Sequence, residues 1–295
     1  MKLGILVPVW RDYQWIAPLT MTELGRRWPS HPEVWFCGLE ASCGLPALPL
    51  TADRSNWTQV LLEGVRHMRS LGFDRIYLIL EEHLPLGPCQ EEHLNATLPA
   101  LMDSLPASYI SLMGWDNRRF TSRSRVLGND RHQLKHLTGP NDPRFHLHPA
   151  LWESAALEQC AALAVEVPDK NGSAWHFEKS SARATFPGAE QDRCYQIRAS
   201  SLSAYRPAPG RRLAGFLDRV LYHKLMALCP LIPGRDASNR FFRSIPFDDV
   251  YCAGPYPMVF SGILAKGALN RFFAKHVGRS DPALMKRILS AMPRT

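Results

Sequence analysis

The chain has 295 residues, 45% of them hydrophobic and 21% charged, which suits a folded protein with a sizeable core and excludes disorder as a description of the whole. Its formal charge of +8 is unevenly placed, because residues 201–295 hold 15 Lys and Arg against 5 Asp and Glu. A basic last third points to an anionic partner, whether a membrane surface, a nucleic acid or a phosphorylated substrate, with a solvated basic face as the bland reading.

The first strand is predicted over residues 3–9. A helix over 15–28 follows, with Ile16, Leu19 and Leu24 on its apolar side. A second strand fits 33–39, and a Gly-, Pro- and Ala-rich loop fits 40–53. Ser55 or Asn56 would cap a helix that begins at Trp57, has Val60, Leu61, Gly64, Val65 and Met68 at helical spacing, and ends at Gly72. Residues 76–80, Ile-Tyr-Leu-Ile-Leu, form a continuous apolar run and read as a central strand covered on both faces. A helix over 91–104 and a strand over 108–113 complete the pattern. Alternating strands and helices predict an α/β fold with a mostly parallel sheet flanked by helices. Neither GxGxxG nor GxxxxGK[ST] occurs, so there is no dinucleotide fingerprint and no phosphate loop of the NTPase kind.

The second half is less regular. Residues 114–136 read as a basic loop. Residues 145–148, Phe-His-Leu-His, alternate like a strand with His146 and His148 on one face; such a pair binds metal only with further ligands. A helix is predicted over 149–163, a short strand over 194–197, a basic amphipathic helix over 213–228 and a basic helix near 269–276. The helix over 213–228 suits either an anionic membrane surface or burial of its stripe in the domain. Seven scattered cysteines with no CxxC pair exclude a disulfide framework or zinc site and fit reduced thiols in a cytosolic protein. The opening apolar run meets Arg11 and Asp12 at once, too early for a signal peptide. The most apolar late stretch, 250–265, is broken by Gly254, Pro255, Pro257 and Gly262, which rules it out as a bilayer span.

The chemistry-bearing residues cluster after the central strand. Glu81, Glu82 and His83 follow it directly, at the strand end where open α/β sheets bind ligands. Carboxylates there suit a hard divalent cation held against a diphosphate; the alternative is a pair of solvated loop acids. Further on, Trp175, His176, Phe177 and Glu178 place an acid among aromatics.

Several of these pieces, in this order, resemble bacterial GT-A-type glycosyltransferase-like proteins. Asn56, Trp57 and Thr58 lead a helix that precedes a strand ending in Glu81 and Glu82, and Leu151-Trp152 is followed by Trp175-His176-Phe177-Glu178, similar to the family's "L-W … W-x-F-E" pattern. Tyr256-Pro257 and Lys266-Gly267 are similar to its closing "YP … KG" segment. The resemblance covers residues 1 to about 180 and 250–270.

The resemblance implies a single GT-A-like domain over 1–295, with a donor-binding half in 1–115 and an acceptor-side, basic helical part in 116–295. Pro8, Val9, Arg11, Trp57, Glu81 and Trp175 would bind a nucleotide-sugar. Glu82 and His83 would hold Mg²⁺ or Mn²⁺. Glu178 would be the general base, its pKa raised by lost hydration. The chain departs from the family's Asp-Asp at the acidic motif, where it has Glu-Glu-His. The implied reaction moves a sugar to a saccharide or lipid-linked saccharide acceptor in surface-glycan synthesis, in the cytoplasm, with peripheral membrane contact through the basic last third. The rival readings are a GT-A-like scaffold without catalysis, for which the Glu-Glu-His departure is the motive, and a nucleic-acid-binding or nucleic-acid-modifying protein, against which the lack of any RNA or DNA module counts.

Overall fold

The computed structural model describes residues 1–40, 44–112, 126–127, 134–137, 147–166, 173–181, 193–197, 232–234, 237, 251–252, 254–259, 262–265 and 268–293. Most of the expected basic loop, His146, the expected helix over 213–228, and Lys266 with Gly267 lie outside these residues.

Strand β1 (Leu3–Pro8) leads through a 3-10 turn (Arg11–Ile16) into helix α1 (Ala17–Arg27) and strand β2 (Glu33–Cys37). Helix α2 (Trp57–Ser70) starts at Asn56, whose side chain accepts from the Gln59 N–H, and Gly72 follows it with φ of 82°. That is the Asx cap and left-handed glycine expected at the two ends. Strand β3 (Arg75–Leu78) follows. The expected helix over 91–104 is present but widened into a π turn at His93–Thr97 before helix α3 (Leu98–Ser104). Pro99 sits in that first turn and has no N–H to return to the Asn95 carbonyl, which is a local reason for the wider turn.

Strands β4 (Tyr109–Ser111), β5 (Val126–Leu127), β6 (Leu134–His136), β7 (Ala150–Glu153) and β8 (Cys194–Ile197) complete a sheet of eight in the order β2-β1-β3-β7-β4-β8-β6-β5. β1 is parallel to β2 and β3, and β4 to β8. β7 is antiparallel between β3 and β4, and β6 is antiparallel between β8 and β5. Six of the eight strands therefore point the same way. The α/β class is as expected, and the sheet crosses residue 115 without a break in pairing.

One element differs. Residues 149–163 are predicted as one helix, but Ala150–Glu153 is the inserted strand β7 and helix α4 runs Ser154–Glu166. Ala150, Leu151 and Trp152 are all buried. A strand covered on both faces has no alternation to separate it from the start of a buried helix. Leu147 and His148, expected in a strand, and Pro149, expected to open the helix, form an irregular bend.

The period of two sorts the strands onto two cores. Ile5, Val7, Tyr77, Ile110 and Leu151 face Leu24 of α1, Trp28 just after it, and Leu98 and Met102 of α3. Leu6, Ile76, Leu78, Tyr109 and Trp152 face Val60, Leu61, Val65 and Met68 of α2 and Leu157 and Cys160 of α4. Helix α5 (Ala174–Ser181) closes the second layer through Phe177. Two short ladders, β9 (Tyr251–Cys252) with β10 (Met258–Val259) and β11 (Leu264–Ala265) with β12 (Ala268–Leu269), precede helices α6 (Arg271–Ser280) and α7 (Pro282–Ala291). These two helices build a third cluster with Ile16, Leu19 and Leu84.

Candidate active site at the end of the central strand

The chain leaves β3 through Ile79, whose N–H still donates to the Leu6 carbonyl at 3.1 Å. Leu80 is buried, and the chain then turns at Glu81, beside the end of β1. Glu81 is 3% exposed. Its carboxylate accepts from the Trp10 N–H at 3.0 Å, and its carbonyl accepts from the Thr20 hydroxyl at 2.9 Å. Burial pushes the Glu81 carboxyl up to about 7, offset in part by the Trp10 N–H. Glu82 is half-buried. Burial, and then the negative charge of Glu81, hold its carboxyl well above the ordinary carboxylate range. A solvated acid pair would show neither effect, so these are not solvated loop acids.

A segment far along the chain braces this turn. Ile263 donates its N–H to the Glu82 carbonyl at 3.0 Å, and the Tyr256 hydroxyl donates to the His83 carbonyl at 2.7 Å. Leu86 and Gln90 donate their N–H groups to the carbonyls of Pro257 and Pro255 at 2.7 and 2.9 Å. Gly262 packs onto Glu82 with φ of +68°, and a Cβ there would lie 2.8 Å from the Glu82 carbonyl oxygen. Asn270 holds Gly262 in turn through a 3.2 Å hydrogen bond to its carbonyl.

The other expected residues fall into three groups. Pro8 and Val9 are buried at the end of β1, where the Val9 N–H donates to the Cys37 carbonyl at 2.8 Å. Gly38 makes that approach feasible: its φ is +90°, and a Cβ would sit 2.6 Å from the Val9 carbonyl oxygen. Arg11 is exposed one residue beyond Trp10, with its guanidinium 3.4 Å from Asp12. Trp57 is 2% exposed and meets Phe177 edge to face at 6.0 Å, so its indole lies in the core between α2 and α5. Trp152 is likewise core, edge to face with Tyr109 at 4.6 Å. Trp175 belongs to α5.

Glu178 is also on α5, which the His176 ring anchors to the Ala164 carbonyl at 2.9 Å. The Glu178 carboxylate accepts from the Leu147 N–H at 2.8 Å, and burial raises its proton affinity. The next residue, His148, packs its ring 5.3 Å from that of His83. One short bend therefore carries both the contact to Glu178 and the contact to His83, the residue after the strand-end acids. The bend that replaced the expected strand is what brings the two acidic elements to one end of the sheet.

Among the described residues, no three His, Cys, Asp or Glu side chains converge as a metal site. Glu82 and His83 gather no third ligand among the described residues and so do not by themselves fit a resident Mg²⁺ or Mn²⁺.

Reasoning from sequence missed Trp10, Thr20, Tyr256, Gly262 and Asn270 as parts of the site. Only Tyr256-Pro257 carried a signal, as part of the closing pattern.

No protein-family model matches the sequence, and no curated protein matches it significantly. Solved structures give loose likenesses. Residues 1–349 of S. aureus TarS align at 10% identity and TM-score 0.38, over 82% of this chain and 70% of that one. A197 from STIV aligns at 11% and 0.30, over 68% and 83%. Glucosyl-3-phosphoglycerate synthase from Mycobacterium tuberculosis, solved with Mn²⁺ and UDP-glucose, aligns at 12% and 0.36, over 79% and 80%. At these scores the likeness supports no residue correspondence, and the site above stands on its own geometry.

Proposed function

We propose that the chain is a GT-A-like glycosyltransferase that takes a sugar from a nucleotide-sugar donor and passes it to a saccharide or lipid-linked saccharide acceptor in surface-glycan synthesis. The observation that carries this reading is the bend at Leu147 and His148, which bonds Glu178 on one side and packs on His83, next to Glu81 and Glu82, on the other. The single domain divides its labour between a donor half in residues 1–115 and an acceptor side in 116–295. The reaction is assigned to the cytoplasm.

The donor diphosphate would lie over the turn after β3, between the end of β1 and the acid pair. Burial and the neighbouring Glu81 charge favour the neutral form of Glu82, and a protonated carboxyl donates a hydrogen bond to a phosphate oxygen where a carboxylate would repel it. Arg11, exposed at the rim, adds positive charge. The acceptor hydroxyl oxygen then attacks the anomeric carbon on the face opposite the diphosphate. The bond from that carbon to the diphosphate oxygen breaks, and its electron pair leaves with the nucleoside diphosphate. The hydroxyl proton passes to the Glu178 carboxylate, whose burial-raised proton affinity suits a base working near neutral pH. Opposite-face attack inverts the anomeric centre.

The test is release of nucleoside diphosphate from nucleotide-sugar donors in the presence of saccharide acceptors. Glu178→Gln is expected to lower kcat by about 10²–10⁴-fold with donor binding unchanged. In the parent chain the rate should fall as pH drops through the raised Glu178 pKa, because the base is then protonated. Full activity in Glu178→Gln would remove this residue from the chemistry.

A further inference from the structure

The last two helices present a surface that the glycosyl-transfer site does not use. Gly278, Pro282, Met285, Lys286, Leu289 and Met292 line an open concavity on α6 and α7. Leu289 is 56% exposed, one of three large hydrophobic side chains exposed among the described residues. Isolated apolar side chains are ordinary on a surface, but here Leu289 shares its concavity with two methionines, which are flexible and adapt to irregular partners. The surroundings are basic: residues 271–295 contain six Lys and Arg and one Asp. Arg271, Lys275, Arg279 and Lys286 are exposed.

That one acid is occupied. Asp281 caps α7 by accepting from the Leu284 N–H at 2.9 Å, and it pairs with Arg26 at 2.9 Å and with Arg27. Arg287 turns inward to Glu23, which is fully buried on α1. The hairpin is therefore fixed to α1, and its outward charge is positive. Apolar side chains amid exposed cations complement an anionic lipid surface: the hydrocarbon parts enter the acyl boundary and the cations meet the headgroups.

We propose that the α6–α7 hairpin docks the chain on an anionic bilayer, with Leu289, Met285 and Met292 inserting and Lys275, Arg279 and Lys286 at headgroup level. The inference is independent of the donor site. It places a membrane beside α1, whose Thr20 holds the Glu81 carbonyl, so a lipid-borne acceptor would arrive near the acids.

The experiment is flotation of the full chain with phosphatidylcholine vesicles, with and without phosphatidylglycerol. Parallel runs use Leu289→Asp, Lys286→Glu and, as a charge control elsewhere, Arg54→Glu. Binding is expected only with the anionic lipid and should weaken with salt. Leu289→Asp should weaken it about tenfold or more, Lys286→Glu about fivefold or more, and Arg54→Glu little. Melting temperatures of the variants should match the parent, since all three side chains are exposed. The proposal is overturned if the chain does not float with anionic vesicles, or if Leu289→Asp floats as well as the parent. It is also overturned if Leu289→Asp instead abolishes self-association or RNA retention while vesicle binding is absent.

Discussion

Glu81 has its carboxyl out of water and a backbone N–H from Trp10 as its hydrogen-bond donor. Its folded pKa of about 7 lies above the ordinary 4.5. Between these two values the unfolded chain loses the proton first, so stability falls as pH rises through that window and levels off above it. The raised carboxyl of Glu82 adds a loss of the same sign. Glu81→Gln keeps an oxygen for the Trp10 N–H and removes the titration. It is expected to recover up to about 3 kcal/mol at pH 8 relative to pH 4, measured by urea unfolding at both. An unchanged pH slope would show that Glu81 is ionised in the fold. Gly262 gives a second outcome at this scale. Its φ of +68° and its contact with the Glu82 carbonyl make Gly262→Ala destabilising by about 1–3 kcal/mol. Gly25→Ala, in α1 with nothing near its Cβ position, should instead stabilise by about 0.5–1 kcal/mol. The acids themselves were legible because an apolar run ending in charge marks a strand end. Gly262 was not, and Tyr256 was only as part of the closing pattern, because they reach Glu82 and His83 from some 170–180 residues away in the chain, and no local pattern records such a contact.

At the scale of elements, β1, α1, β2, α2 and β3 followed from periodicity, capping and glycine punctuation. The boundary at Ser154 did not, because the buried residues of β7 carry no period that tells strand from helix. The missed strand matters: by pairing between β3 and β4 it places the Leu147–Pro149 bend beside His83. Helix α7 was also missed, although Asp281 followed by Pro282 is a helix-start signal. Its attachment is testable. Asp281→Ala removes the cap and the partner of Arg26 and Arg27 together, with an expected cost of about 1–2 kcal/mol. Native-state hydrogen exchange should show the loss mainly as faster exchange in α6 and α7. Uniform loss across the sheet would mean that the hairpin and the sheet unfold as one unit.

For the whole molecule, charge asymmetry and β/α alternation gave the class and the basic last third, and the sheet bears out the class. Much of that basic part lies outside the described residues, so its docking role rests on α6 and α7. What unites the molecule is one end of one sheet, where the turn after β3, the bend before β7, α5 and the bracing residues 254–257, 262 and 263 meet. The most direct test of that end as a donor site is thermal stability against UDP-, GDP-, CMP- and dTDP-sugars, each with and without Mn²⁺, for the parent chain and Glu82→Ala. One donor class should raise the parent melting temperature selectively, by an amount set by its concentration over Kd, and Glu82→Ala should abolish the rise. A rise that needs Mn²⁺ would contradict the metal-free account of the acid pair. No rise with any donor would contradict the donor site and leave the fold as a scaffold.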